Sequence, residues 1–262
     1  LVSVMLANNE TGIVQPISLI SSIAHKYGAL VHCDAVQAVG KIVINVSELD
    51  VDFLVLSAHK IGGPSGCGAL LNLCGYPTAP LTFGGGQERK VRSGTENLIG
   101  VAGFGAAAVA VMENGIDEMV RIQSMRNSLE KILLNRIAGL EIVGYGVERL
   151  GNTTYLLMPG ISSETQVIAL DLEGISVSSG SACSSGKVST SSVLNAMGFN
   201  EEKSMSGLRV SFGWANVEED VDLFVEAFTA VCERIGNTGW SDSIYRDPIM
   251  GNELLNGKIL RA

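Results

Sequence analysis

Ser57-Ala58-His59-Lys60 closes an apolar run, Val51 to Leu56, and opens onto a glycine-rich turn, Ile61 to Gly66. A lysine at the mouth of a buried strand is set to react. Burial disfavours the ammonium form and leaves an amine that attacks carbonyls. A second apolar run ends in His32-Cys33-Asp34-Ala35-Val36-Gln37. An acid at one strand end and a lysine at another are what a pyridoxal phosphate site requires. The lysine holds the aldehyde, and the carboxylate keeps the pyridine nitrogen protonated so that the ring draws in electrons. Gln37, one helical turn past Asp34, can hydrogen-bond the ring hydroxyl. Ser57 and His59 can donate to phosphate oxygens. Taken alone, Asp34 reads equally as a helix cap and Lys60 as a surface lysine. Their combination with Ser57 and His59 favours the cofactor.

Three further segments have reactive residue types. Gly84 to Thr95 has three consecutive glycines followed by Arg89, Arg92, Ser93 and Thr95. These can serve an anion, although on its own a flexible loop is the better reading of the segment. Ser178 to Lys187 is small and polar and holds Cys183. Structural cysteines sit among apolar neighbours, so Cys183 is expected to be an exposed, mobile nucleophile, its thiolate modestly favoured by the serines and Lys187. Arg209 interrupts the apolar strand Leu208 to Phe212. It is expected to grip a carboxylate through two hydrogen bonds, with an internal salt bridge as the equal alternative. Cys33 is expected to face the core, and Cys67, Cys74 and Cys232 to be packing residues. His32 reads as lying near the ring or as a hydrogen-bonded core histidine, and His25 as a surface residue.

The elements that must position these groups follow from patterning. Val2 to Leu6, Ala29 to Cys33, Val51 to Leu56 and Gly68 to Leu73 are near-continuous apolar runs. A helix lies between the first two, opened by Pro16, with Ile17, Ile20, Ile23, Ala24 and Tyr27 at helical spacing and Gly28 as its stop. This order predicts an α/β fold with a mainly parallel sheet. Ligands gather at the carboxyl ends of such strands, which is where Asn9, Asp34 and Lys60 fall. Asn114-Gly115 is expected to break the chain. The reading divides it into a large domain over 1–115, a smaller α+β domain over 116–236 and a disordered tail over 237–262. The second domain begins with a helix striped by Ile116, Met119, Ile122, Met125, Leu129, Ile132 and Leu133. Strands follow at Glu141 to Val143, Thr153 to Met158, Ile175 to Ser178 and Leu208 to Phe212, with helices between and after them.

Composition excludes several classes. The 262 residues are 46% hydrophobic and 17% charged, with a net charge of −9. That argues against nucleic-acid or anionic-membrane partners. Five cysteines without a Cys-x-x-Cys pair argue against a zinc site or disulfide framework; a reducing, cytoplasmic setting is the simpler reading. Leu98 to Met112 is apolar but shorter than the ~20 residues of a span. Its Gly103, Gly105 and alanines suggest a helix packed inside a protein. The chain starts directly in a core-type strand, which suggests that an amino-terminal part of a longer protein is absent.

Asn8-Asn9-Glu10-Thr11-Gly12, His32 to Gln37, Ser57 to Lys60, Arg92-Ser93-Gly94-Thr95, Gly180-Ser181-Ala182-Cys183 and Leu208 to Ser211 occur in this order. Together they resemble the pyridoxal-phosphate-dependent cysteine desulfurases of the NifS/IscS kind, within the class V aminotransferases of fold-type I. The resemblance runs from residue 1 to about 235. It implies L-cysteine as substrate, alanine as product and a persulfide on Cys183. It implies Lys60 as the cofactor lysine, Asp34 as the pyridinium partner, and Gln37 and Asn9 on the ring-hydroxyl side, Asn9 also touching substrate. Ser57 and His59 become phosphate ligands and Arg209 the clamp on the substrate carboxylate; the Cys183 thiol also needs a proton acceptor, either His59 or the family's stacking histidine. Thr95 resembles a residue lent to the phosphate of the other subunit, which implies a homodimer. The serine-rich surroundings of Cys183 resemble the subgroup that hands sulfur to an iron–sulfur scaffold protein, with Cys183 a transient iron–sulfur ligand and no intrinsic metal. The family's amino-terminal phosphate loop and ring-stacking histidine are not in this sequence. A selenocysteine lyase, an aminotransferase and an inactive fragment that only dimerises or binds partners are the competing readings. The mobile thiol separates a desulfurase from an aminotransferase, which has no need of one.

Overall fold

Two sheets, joined by one long helix, position these groups. The computed structural model describes residues 1–180 and 190–236, leaving aside the side chains of residues 116 and 236. The tail over 237–262 and Cys183 lie outside the described residues. In the first sheet β1 (Val2–Met5), β2 (Val31–Asp34), β3 (Phe53–Ser57) and β4 (Gly68–Asn72) lie in sequence order. The first three are parallel, with Met5 opposite Asp34 and Asp34 opposite Val55. β4 turns back antiparallel to β3, as five closely following residues without a crossover require. Alternation along β2 sets the faces: Val31 and Cys33 are buried with Leu6, Ile17 and Leu54, while His32 and Asp34 lie half-buried on the other side.

α1 (Ile17–Lys26) covers the buried face. It starts after Pro16 and stops before Gly28, whose φ is 69°. Ile17 and Ala24 are buried, but Ile23 and Tyr27 of the expected stripe are exposed. At about 100° per residue, Ile23 lies roughly 120° around the helix from Ile17, too far to reach the sheet.

The second sheet contains β5 (Glu141–Ile142), β6 (Thr153–Leu157), β7 (Ser178–Ser179) and β8 (Gly207–Ser211), arranged β5-β6-β8-β7 and antiparallel throughout. Its core joins Leu156, Leu208 and Val210 to α4 (Ser163–Leu172), to α7 (Glu219–Gly236) and to the second half of α3 (Leu98–Arg136).

α3 runs unbroken for 39 residues, so the break expected at Asn114-Gly115 does not occur. A glycine costs a helix interior only about 1 kcal/mol, and Gly115 fits closely against Val111. Ile122, Met125, Leu129 and Leu133 form the expected buried stripe. The first half departs from expectation. Leu98, Ile99, Val101, Val109 and Met112 are exposed rather than interior, Ile99 by 86%. Leu98–Gly115 is also long and apolar enough to cross a membrane by length and composition, longer than the stretch read from the sequence. Its fixed point is Gly103, where a Cβ would meet Pro64 Cγ at 2.6 Å; the helix therefore rests on the turn that follows Lys60. Three short helices complete the described chain: α2 (Val46–Leu49), α5 (Ser192–Ala196) and α6 (Glu201–Met205), capped by Asn45, Ser191 and Asn200.

Candidate active site

β3 ends at Ser57, and residues Ala58–Ile61 form a single 3-10 turn that presents Lys60. The turn is tied at both ends. Ala58 N–H donates to the Cys67 carbonyl at 3.0 Å and Gly63 N–H to the Ala58 carbonyl at 2.9 Å. Gly62 closes it with φ 83°, a conformation that excludes most side chains. Lys60 is half-buried, and Ser57 Oγ lies 2.8 Å from His59 Nδ1. Asp34, at the adjacent strand end, accepts Val36 N–H on Oδ1 at 2.9 Å. It does cap the turn after β2, and its Oδ2 has no hydrogen bond among the described residues.

Gln37 is held by a residue that the sequence reading passed over. Lys41 Nζ donates to the Gln37 carbonyl at 2.9 Å and to Gln37 Oε1 at 3.4 Å. With Oε1 occupied, the amide NH₂ of Gln37 is left to donate elsewhere. Burial lowers the Lys41 pKa to about 8, with the charges of Lys60 and Arg209 adding to the effect. Lys41, Lys60 and Arg209 thus lie near enough for their charges to act on one another. In sequence Lys41 looks like any lysine after a glycine, and only its neighbours reveal it.

Arg209 lies in β8 opposite Tyr155 and Ser178. Its Nη1 donates to the Asn9 carbonyl at 2.9 Å, and its Nε is buried with no partner. No salt bridge to Arg209 occurs among the described residues, so the alternative expected from sequence is not found. Asn9 belongs to a loop built around Asn8, whose Oδ1 accepts the N–H groups of Glu10 and Thr11 at 2.9 Å each. The same loop is fastened to the second sheet's approach: Leu150 N–H donates to the Gly12 carbonyl at 2.8 Å and Val14 N–H to the Glu148 carbonyl at 3.0 Å.

Other expected residues separate from this crevice. Thr95 is exposed, with no hydrogen bond or ion pair to the crevice among the described residues. In its arm the left-handed strain sits on Glu88, Arg89 and Lys90, with φ of 48°, 56° and 70°, not on the glycines alone. Cys33 and Cys232 are buried packing residues, their thiols pushed up to about 11 and about 12 by burial. Cys67 is half-buried, but Cys74 is exposed at the end of β4, contrary to expectation. His32 is half-buried with Nδ1 2.9 Å from Ser3 Oγ. His25 is near the surface but engaged, Nε2 2.9 Å from Asp52 and Nδ1 3.3 Å from Asp50.

A crevice with an amine, two further cations, an unpaired buried guanidinium N–H and a carboxylate oxygen left over fits a phosphorylated aldehyde and a carboxylate ligand. A lysine and an acid at the ends of neighbouring parallel strands, beside a second, antiparallel sheet, fit the fold-type I class of pyridoxal-phosphate-dependent transferases. Within it, this chain belongs to the aminotransferase class-V family, whose model matches residues 1–224. It is 42% identical over 235 residues to a cysteine desulfurase of Sinorhizobium fredii, covering 90% of this chain and 61% of that protein. To a cysteine desulfurase IscS of Methanosarcina thermophila it is 40% identical, covering 90% and 58%. The NifS-like protein of Rickettsia africae superposes with a TM-score of 0.81 at 39% identity, covering 88% of this chain and 61% of that one. The chain therefore spans about 60% of the length of the relatives it matches.

Proposed function

We propose that this chain is part of a cysteine desulfurase that converts L-cysteine to L-alanine and leaves the sulfur as a persulfide on Cys183. The observation that carries the reading is the cationic crevice, with Lys60 and Asp34 at adjoining strand ends and Arg209 reaching over from the second sheet. The similarity to cysteine desulfurases supports the substrate. Pyridoxal phosphate, when bound, supplies an electron sink for negative charge at the substrate α-carbon.

The chain's own residues do the rest. Lys60 holds the cofactor aldehyde and is the base placed to move the α-proton. Asp34 holds a proton on the ring nitrogen through its unused oxygen. Gln37, oriented by Lys41, donates to the ring hydroxyl. Ser57 and His59 bind phosphate, and Arg209 fixes the substrate carboxylate with Asn9 beside it. Cys183, as thiolate, attacks the substrate sulfur. An S–S bond forms and the Cβ–S bond breaks. Its electron pair returns to the substrate carbon, which takes a proton and leaves as alanine. His59 accepts the thiol proton.

Thr95, on an exposed arm, is suited to serve the phosphate of a second copy, which makes the protein a homodimer. An iron–sulfur scaffold protein is the sulfur acceptor, with Cys183 a transient ligand. The four described cysteines are free, which fits a cytoplasmic, reducing setting. A second reading, a chain that binds partners without holding the cofactor, is favoured by the exposed first half of α3. One experiment separates them. Purified chain with pyridoxal phosphate should show a visible absorbance band that borohydride abolishes. L-cysteine should then yield alanine and a persulfide mapped to Cys183. Persulfide on Cys33, Cys67, Cys74 or Cys232 alone would sink the assignment, and absence of the band favours the second reading.

A further inference from the structure

The Asn8 loop, β6 and both ends of the segment 181–189 meet at one carboxylate. Glu10 is only 7% exposed. Its Oε2 accepts from Ser191 Oγ at 2.6 Å and from the Tyr155 hydroxyl at 3.3 Å. Ser191 follows that segment closely in sequence, and its Oγ also accepts Leu194 N–H at 3.1 Å to cap α5. On the other side stands Gly180, immediately before the segment. A Cβ there would collide with the Tyr155 hydroxyl and approach Glu10 Oε2 to 2.9 Å, so only glycine fits between them. Gly180 N–H donates to the Gly207 carbonyl at 3.3 Å, two residues from Arg209. Burial, reinforced by Glu10, raises the Tyr155 pKa, which keeps the phenol a donor.

A buried carboxylate is unfavourable unless its oxygens are hydrogen-bonded. Here one oxygen accepts from Ser191, which closely follows the cysteine-bearing segment, and from Tyr155 of β6, and the residue immediately follows Asn9, the partner of Arg209. Consecutive residues of one loop thus hold the carboxylate clamp and the stem that follows the segment. We propose that Glu10 is a positioning residue that fixes the Ser191 stem of segment 181–189 to the Asn9–Arg209 pair, with Gly180 packed beside the same Tyr155 hydroxyl. Fixing that stem raises the effective concentration of the Cys183 thiol at the bound substrate. The geometry stands on described residues alone; its catalytic consequence rests on the desulfurase reading.

Limited trypsin digestion tests the tie without cofactor. Ser191 is the fourth residue after Lys187, and a protease cleft draws in extended chain on both sides of the cut bond. Cleavage after Lys187 therefore requires Ser191 to leave Glu10, and its rate follows the open population. Glu10→Ala and Ser191→Ala should each raise it about tenfold, because each removes a hydrogen bond to a buried charge. Glu10→Gln, whose amide oxygen can accept the same bonds, should stay within about threefold of wild type. An unchanged rate in both alanine variants overturns the proposal. With pyridoxal phosphate and L-cysteine, the alanine variants should keep the borohydride-sensitive band and KM but form the Cys183 persulfide about tenfold more slowly. Undiminished persulfide, or parallel loss of the band, overturns the positioning role. A wild-type band without any persulfide would instead remove the desulfurase reading, leaving digestion to decide the tie.

Discussion

Arg209 and Asn9 stand 200 positions apart in sequence, yet the Arg209 guanidinium donates to the Asn9 carbonyl at 2.9 Å. The bond crosses from the antiparallel sheet to the loop after β1. It aims the guanidinium into the crevice, where Nε remains buried and unpaired. Arg209→Lys should raise KM for L-cysteine about 10–100-fold with a smaller effect on kcat, because an ammonium cannot reproduce the planar fork. Steady-state kinetics decides this. An unchanged KM would place the carboxylate elsewhere.

Lys60→Ala should abolish the borohydride-sensitive band and lower turnover by about 10²–10⁴ or more. Spectra of the variant with pyridoxal phosphate check it. A persisting band would assign the cofactor to Lys41, the other lysine in the crevice.

Lys41 titrates at about 8, well below the ordinary ~10.4. As pH rises through about 8, Lys41 goes from cation to neutral amine and the crevice loses one positive charge. Affinity for pyridoxal phosphate or inorganic phosphate should therefore fall over that range. Lys41→Met should flatten the dependence and weaken binding at pH 7 by about tenfold, as loss of a charge-assisted contact does. Titration calorimetry at pH 7 and pH 9 compares the two.

His25 gives a pH dependence of opposite origin. Hydrogen bonding to Asp52, then to Asp50, raises its pKa above 6.5. Burial alone would raise Asp52, but bonds from His25 and Val31 N–H pull it below 3.8. The histidine's contribution is complete below 6.5 and lost as pH rises through its higher folded value. That of Asp52 is present above 3.8 and lost as pH falls through its lower folded value. His25→Ala should thus lower stability by about 0.5–1 kcal/mol near pH 5.5 and little at pH 9. Denaturant midpoints at the two pH values measure the difference.

Glu130 pairs with Arg149 through two bonds of 2.8 and 2.9 Å, both side chains being 4% exposed. Arg126 lies on its other side at 3.9 Å. Glu130→Gln leaves two buried guanidinium groups without a counter-charge and should destabilise by about 3–5 kcal/mol. Arg149 also bridges to Ile13, so the variant should loosen the Asn8 loop. Thermal unfolding and hydrogen exchange at residues 8–14 test both effects.

The places of the first sheet's candidate residues were legible in the sequence because local pattern determines them. A buried parallel strand reads as an apolar run, and the residue at its carboxyl end is set by where the run stops; Asp34 and Lys60 follow directly. The buried stripe of α3 from Ile122 to Leu133 and the inward-facing Cys33 are equally matters of period. Tertiary structure alone decided the rest. Whether Arg209 meets a carboxylate or a carbonyl depends on which loop lies across it. That Lys41 is depressed depends first on its burial and then on the charges of Lys60 and Arg209, which arrive from other elements. Glu10 looked like a turn residue until Tyr155 and Ser191, 145 and 181 positions away, closed over it. The helix at Asn114-Gly115 continued because a propensity penalty near 1 kcal/mol is small against the packing of its second half. Periodicity encodes which side of an element is apolar; the partner of a polar group is fixed only when distant elements meet, and no local pattern contains that distance.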